Sequence, residues 1–229
     1  MRFSSFLVLA LLTPAFTQAQ DESSRSVAGG GISASGWTGK VDASEAKAGK
    51  TINDAKFAQE GGGIHVTTGP EGTYWKSADK ASGDYTVKAT FNEPKFMNLN
   101  THPHPYGIVI GGSGMGTDDQ KYLYCAAYGN GNFIVRGFGP AAFQMNGRRG
   151  EANAAVHKAA AVGEPVTQEI AMSVKGGNVS CSINGTVVAT YPVGDVVAAG
   201  KLPSTDGAYG LRFGHNTEVI VTGFSMTKH

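Results

Sequence analysis

At 229 residues the chain has the length of one large β domain. Its 19 basic and 18 acidic residues form no basic stripe and no acidic tail, which excludes nucleic acid and anionic membrane as the main partner. Its 33 glycines follow no collagen-like period and fall in turns between short apolar runs, the pattern of an antiparallel all-β chain.

Residues 1–19 read as a secretory signal peptide. Arg2 gives the positive start, Phe6 to Leu12 the apolar run, and Thr17-Gln-Ala19 a small-residue cleavage pattern. That run is too short to span a bilayer, and no later stretch reaches transmembrane length. The mature protein is therefore expected to be soluble, without a membrane span, and secreted or periplasmic. Setting residues 1–19 aside removes Arg2 and leaves 18 basic against 18 acidic residues. Residues 20–35, polar and rich in Ser and Gly, predict a flexible leader. A single domain then occupies residues 36–229, with Trp37 near its start. Between Lys40 and Glu60 the pattern is weak and suits a loop with room for a short helix.

From Gly62 the strand signal strengthens. Ile64 to Thr67, Gly72 to Trp75 and Asp84 to Phe91 follow one another with Gly-Pro and Ser-Gly punctuation. In the third, Tyr85, Val87, Ala89 and Phe91 alternate with Asp84, Thr86, Lys88 and Thr90, a strand with one wet face. A proline- and histidine-rich loop, Asn92 to Pro105, leads to a strand from Tyr106 to Gly111.

Lys121 to Tyr128 and Phe133 to Phe138 then form the clearest strand–turn–strand unit, separated by Gly129-Asn-Gly-Asn132. Asn130-Gly131 suits a two-residue type I′ turn, since both central residues need positive φ. That turn pairs Tyr128 with Phe133, Ala126 with Val135 and Cys125 with Arg136. One face carries Tyr122, Tyr124, Tyr128, Phe133 and Val135 and is assigned to the core. The other carries Leu123, Cys125, Ile134, Arg136 and Phe138. A bulge near Gly137 would reverse part of this assignment.

Glu151 to Ala161 is alanine-rich and bracketed by Gly150 and Gly163, which predicts a short surface helix in a connection. A meander follows over Val166 to Val174, Asn178 to Ile183 and Thr186 to Tyr191, with turns at Gly176-Gly177 and Asn184-Gly185. The last strands are Gly207 to Phe213 and Glu218 to Thr227. About a dozen strands without helical crossovers imply a two-sheet antiparallel sandwich. Cys125 and Cys181 sit mid-strand; an oxidising compartment permits a disulfide, but the predicted faces do not obviously converge, and pairing stays open.

Ile183-Asn-Gly-Thr-Val-Val188, Asp206-Gly-Ala-Tyr-Gly-Leu-Arg-Phe213 and Val219-Ile-Val-Thr-Gly-Phe224 resemble the C-terminal half of concanavalin A-like, laminin-G-like jelly rolls. Gly72-Thr-Tyr-Trp75 with Ser82 to Phe91 resembles the opening of a secreted bacterial branch, a domain of unknown function related to 3-keto-disaccharide hydrolases. The resemblance spans most of residues 62–228. It implies an all-β, two-sheet antiparallel jelly-roll sandwich, to which the reading above adds one short surface helix. It also implies a glycan ligand on a concave sheet face or at rim loops, with calcium in some members. The related glucanases carry a Glu-x-Asp-x-x-Glu strand, and this chain has no such run. Its acidic residues are mostly single and in turns, which argues against a retaining or inverting carboxylate pair.

The most unusual local sequence is His102-Pro-His104-Pro-Tyr106. Alternate residues of an extended segment point the same way, so His102, His104 and Tyr106 would converge on a sugar or a metal. The plain alternative is a rigid loop whose imidazoles cap backbone groups. A metal needs a third ligand, and neither His65, His157 nor His215 has diagnostic spacing. Asp118-Asp119 offers oxygen ligands to calcium or an Asx-type turn. Trp75, Tyr106 and Phe138 are candidate sugar-stacking platforms or core residues, and Arg136, Arg148 and Arg149 candidate hydroxyl or carboxylate readers.

These readings converge on an exported, monomeric jelly roll that binds glycan or polysaccharide without catalysis, through His102, His104, Tyr106, Arg136 and Phe138. No cofactor is required, with calcium the one ion the fold suggests. Two alternatives stand beside it. One is a glycoside-active enzyme in which a histidine or bound metal does the acid–base work. The other is an envelope-associated structural module with a flat open face covered by the Gly150 to Gly163 connection.

Overall fold

The computed structural model describes residues 23–229. The expected signal peptide and residues 20–22 of the expected leader lie outside the described residues. Two large sheets pack face to face, with strands numbered in chain order. The first runs, across its width, β1 (Gly31–Ile32), β3 (Lys56–Glu60), β4 (Gly63–Thr67), β16 (Glu218–Lys228), β6 (Tyr85–Glu93), β12 (Val166–Lys175), β13 (Asn178–Ile183) and β14 (Thr186–Pro192). The second runs β10 (Ala142–Gln144), β9 (Asn132–Phe138), β8 (Lys121–Ala127), β7 (Tyr106–Ser113), β15 (Gly207–Phe213), β5 (Gly72–Ala81) and β2 (Trp37–Val41), with β11 (Glu151–Ala152) on β9. Neighbours pair antiparallel, apart from the short parallel contact of β1 with β3. The all-β jelly-roll sandwich expected from the sequence is the fold. No helix among the described residues is long and apolar enough to cross a membrane.

Period-two alternation builds the core. Tyr85, Val87, Ala89 and Phe91 of β6 and Ile170, Met172 and Val174 of β12 point inward, where they meet Tyr106, Ile108 and Ile110 of β7 and Leu211 and Phe213 of β15. The Val, Ile, Leu, Phe and Met side chains among them each contribute roughly 1.5–3 kcal/mol on burial. Cys125 on β8 and Cys181 on β13 form a disulfide across the layers, their Cα atoms 6.1 Å apart, so one sheet is stapled to the other.

That bridge exists because the β8–β9 hairpin adopts a different register from the one the Asn-Gly dipeptide suggests. Gly131 N donates to Tyr128 O, Tyr128 N donates to Asn132 O, and only Gly131 of the turn residues takes a positive φ, +90°. This is a three-residue loop, a type I turn followed by a glycine bulge. Ala127 therefore pairs with Phe133, Cys125 with Val135, Tyr124 with Arg136 and Tyr122 with Phe138. Phe133 and Val135 face the core as expected, but their partners there are Leu123, Cys125 and Ala127. Tyr122 and Tyr124 turn to the outer face, where the Tyr122 hydroxyl accepts from Thr73 Oγ1.

The Gly150 to Gly163 connection is not a helix. Asn153 Oδ1 accepts from Ala155 N, and Gln168 holds both backbone groups of His157, N to Oε1 at 3.0 Å and O from Nε2 at 2.8 Å. Asn184 Nδ2 donates to Ala155 O at 2.8 Å. These side chains take the backbone partners a helix would need, while Val156 plugs the end of the core. The connection caps the sandwich end beside the β8–β9 turn, where Ala159 N donates to Gly129 O. The two short helices are α1 (Ala43–Lys47), inside the weakly patterned stretch, and α2 (Val193–Val196). Residues 23–35, expected as free leader, are tied down: Arg25 N donates to Asn216 Oδ1, Val27 N to Asp54 O, and β1 pairs with β3. Asn216, at φ +49°, supplies that anchor from the far end of the chain.

Candidate functional site

The β7–β15 ladder sets Phe213 opposite Tyr106. Counting the antiparallel register two residues past the strand ends puts His215 across from His104, and Gly214 N donates to Pro105 O at 2.7 Å to continue the ladder. A side chain at Gly214 would meet His104 Cβ and Pro105 Cδ at 3.0 Å, so glycine lets the two segments close. Beyond it Asn216 N donates to Gly69 O, and Thr68 Oγ1 donates to Gly214 O at 2.7 Å. His215 thus stands on a braced corner.

Three imidazoles meet there. The His102 and His104 ring centroids are 4.3 Å apart, those of His104 and His215 3.9 Å and nearly perpendicular, and those of His102 and His215 6.1 Å. One nitrogen of each lies within 4.8 Å of the others. His102 is exposed and the other two half-buried. Burial, and then the neighbouring His215 and His102, push His104 down to about 3, so it is neutral at physiological pH. Its Nε2 is buried without a hydrogen-bond partner. Ser24 Oγ donates to Glu45 Oε1 at 2.6 Å and lies 3.5 Å from His215 Nδ1. With its one proton committed to Glu45, the hydroxyl can only accept, which favours the proton on Nδ1 and the lone pair on Nε2. A cleft of about 560 Å³ opens here, lined by Ser24, Glu45, Lys50, Glu71, His104 and His215.

Glu71 leads from this cleft to a second polar group on the outer face of the second sheet. Arg212 of β15, almost fully buried, forms a two-pronged ion pair with Asp42, Nη1 to Oδ1 and Nη2 to Oδ2, the latter at 2.7 Å. Nη2 also reaches Glu71 Oε2 at 3.1 Å. Burial opposes the Arg212 charge, but Asp42, Tyr122 and Glu71 hold it firmly protonated. Burial raises Glu71 to about 7 despite Arg212, helped by Asp42 and Glu45. Thr73 Oγ1 donates to the Tyr122 hydroxyl at 2.9 Å. The Arg212 guanidinium carbon stands 5.5 Å from the ring centroids of both Tyr124 and Phe138, and that of Arg136 5.3 Å from Phe138. Gly107 of β7 pairs with Arg212 on one side and Ala126 on the other, and a side chain there would run into Cys125 O and Ala126 Cα of β8. A smaller cleft of about 230 Å³ opens beside Asp42, Tyr122, Phe138 and Pro140.

The five residues picked out in the sequence therefore separate. His102 and His104 join His215 at the sheet end. Arg136 and Phe138 share the outer face with Tyr122, Tyr124 and Arg212. Tyr106 belongs to neither: it is fully buried between the sheets, stacked on Phe91 at 5.6 Å and beside the Glu93 carboxyl. The segment stops alternating freely at Tyr106 because β7 begins there and turns that ring into the core. The sequence set His215 aside for want of diagnostic spacing and gave no sign of Arg212, Asp42 and Glu71 as site residues. His215 and Arg212 both follow from the β7–β15 register; Asp42 and Glu71 carry no local signal. Of the other candidates, Trp75 is buried on the outer face near the Gly116 turn, and Asp118 pairs with Lys40 at 2.7 Å.

No family model matches the chain, and no curated protein matches it. Solved structures do resemble it. A carbohydrate-binding module, CBM66, from Bacillus subtilis superposes with a TM-score of 0.55 at 11% identity, over 84% of this chain and 96% of that one. A Bacillus subtilis protein of unknown function with a galectin-like fold gives 0.55 at 12% identity, over 84% and 89%. A candidate glycosyl hydrolase from Parabacteroides distasonis gives 0.50 at 11% identity, over 85% and 88%. The fold is thus the concanavalin A-like, galectin-like jelly roll. At such identities the likeness is one of fold.

Proposed function

We propose that the protein binds carbohydrate without catalysis, on the outer face of the second sheet, through the half-buried Arg136 and Phe138, which the buried Tyr122, Tyr124 and Arg212 hold in place from behind. One observation carries this reading: two guanidiniums and three aromatic rings share that face, and clefts open at both ends of the Arg212 network. Aromatic rings match the C–H faces of pyranoses, and guanidiniums donate to hydroxyls and carboxylates in fixed directions. The jelly-roll neighbours, one of them named as a carbohydrate-binding module, support the same reading. Export fits the disulfide, a bond that persists in oxidising compartments.

The buried acid here is committed to structure. Both oxygens of Asp42 are held by Arg212, so this carboxylate is not free to attack an anomeric carbon. A hydrolytic reading has one observation in its favour, the Glu71 carboxyl held up to about 7, in the range of a proton donor. Affinity-gel electrophoresis over a panel of neutral and acidic polysaccharides separates the two. Binding predicts retardation by at least one polymer, weakened about tenfold in Phe138→Ala or Arg136→Ala, with no new reducing ends. Retardation by none, or release of reducing sugar that Glu71→Gln abolishes, would overturn it.

A further inference from the structure

We propose that His102, His104 and His215 form a binding site for a divalent transition-metal ion of the zinc class, with its remaining coordination positions facing the cleft beside Glu71. This goes beyond the carbohydrate reading and rests on different residues.

Two chain segments bring the three rings together, and each is fixed for reasons of its own: His104 by the prolines around it and the start of β7, His215 by Gly214 and the Asn216 corner. The histidines are the one group of ligating side chains among the described residues whose donor atoms converge in this way. Three rings packed at 3.9–6.1 Å gain little from one another, and the buried His104 Nε2 has no hydrogen-bond partner. Leaving such a nitrogen unpaired is costly, and a metal bond would satisfy it. Zinc–nitrogen bonds of about 2.0–2.1 Å need donors closer together than the present limit of 4.8 Å. His102 is exposed and can supply most of that movement by side-chain rotation.

The donor set selects the ion. Neutral imidazoles suit zinc, copper and nickel, whereas calcium and magnesium take carboxylate, carbonyl and water oxygens. The contact of His215 Nδ1 with Ser24, itself bonded to Glu45, has the form of an outer-shell partner that orients a ligating ring. Three protein ligands leave a fourth position for water or an oxygen of a bound molecule.

The test uses the purified protein, stripped with a chelator and titrated calorimetrically with zinc chloride, with no sugar present. One zinc per chain is expected, with a rise in melting temperature, and calcium chloride should produce neither. Cobalt should give the visible absorption of a low-symmetry nitrogen site. His102→Ala, at an exposed position that leaves the fold intact, should weaken zinc binding about tenfold or more, as should His215→Ala. His157→Ala, remote from the cluster, should bind as the wild type does. Absence of zinc binding, equal binding by His102→Ala, or an equal loss in His157→Ala would each overturn the site. Polysaccharide retardation is a separate readout, so the two proposals fail independently.

Discussion

The outward faces of the two sheets are built differently. On the first, short polar residues pair across strands in contact with solvent: Thr86 with Ser173 at 2.7 Å, Asn92 with Thr167 at 2.8 Å, and Lys88 with Glu169 at 3.8 Å. On the second, Val109, Ala126, Tyr122, Tyr124 and Ile134 are buried beside a buried arginine. A sandwich requires one apolar face from each sheet, the face turned to the other layer. The first sheet stops at that requirement. The second adds an outer layer containing an ion pair whose desolvation is unfavourable and which folding does not need. An arrangement that exceeds the demands of folding, next to two clefts, is where binding is best sought.

The sharpest way to break this contrast is to remove one charge from each face. Arg212→Leu strands Asp42 in a buried site and should destabilise by about 3–5 kcal/mol in urea unfolding. Lys88→Ala should stay within about 0.5 kcal/mol. Equal costs would mean that the outer layer of the second sheet is no more structural than that of the first. Next in size is the staple between the layers. Cys125→Ala with Cys181→Ala should lower stability by roughly 2–5 kcal/mol, yet leave polysaccharide retardation intact at low temperature. Loss of retardation in the folded double variant would place the disulfide in the binding face rather than beneath it.

A pH series comes third. Burial raises the carboxyls of Glu93 and Glu71 to about 7, so ionising them is less favourable in the folded state than in the unfolded chain. Their contribution is complete below the unfolded value near 4.5 and is lost as pH rises through about 7. Glu93→Gln should therefore unfold at higher urea than the wild type at pH 8, by on the order of 1–3 kcal/mol, and about equally at pH 4. A flat wild-type profile between these values would refute the assignment. The smallest expected effect is Tyr122→Phe, which removes the acceptor for Thr73 and should cost about 1 kcal/mol. Thr86→Ala on the first sheet should cost less, because water replaces its partner.

The long strands after Gly62 were legible because period-two alternation and glycine punctuation are local, whereas β2 and β3, at the two ends of the weakly patterned stretch expected to be loop, were not. Asn178–Ile183 and Gly207–Phe213 have the bounds expected of them. Asn184-Gly185, with φ of +51° and +81°, forms the two-residue turn its dipeptide suggests. Asn130-Gly131 carries the same dipeptide and does not. Gly129 joins the loop and only Gly131 takes positive φ, so the pairing slips by one residue. A slip of one turns a strand's side chains over, which is why the tyrosines were expected inside and stand outside.

From the amino-acid sequence alone come the all-β class, the positions of the long strands after Gly62, the odd pair His102 and His104, and the presence of Arg136 and Phe138 together on one face. The pairing of Cys125 with Cys181, the meeting of His215 with His104, and the joining of Arg212 to Asp42 and Glu71 depended on tertiary structure. Alternation along a strand is set within a few residues by backbone geometry. Which strand lies beside which, and in what register, is settled by turns and packing among residues far apart in the chain.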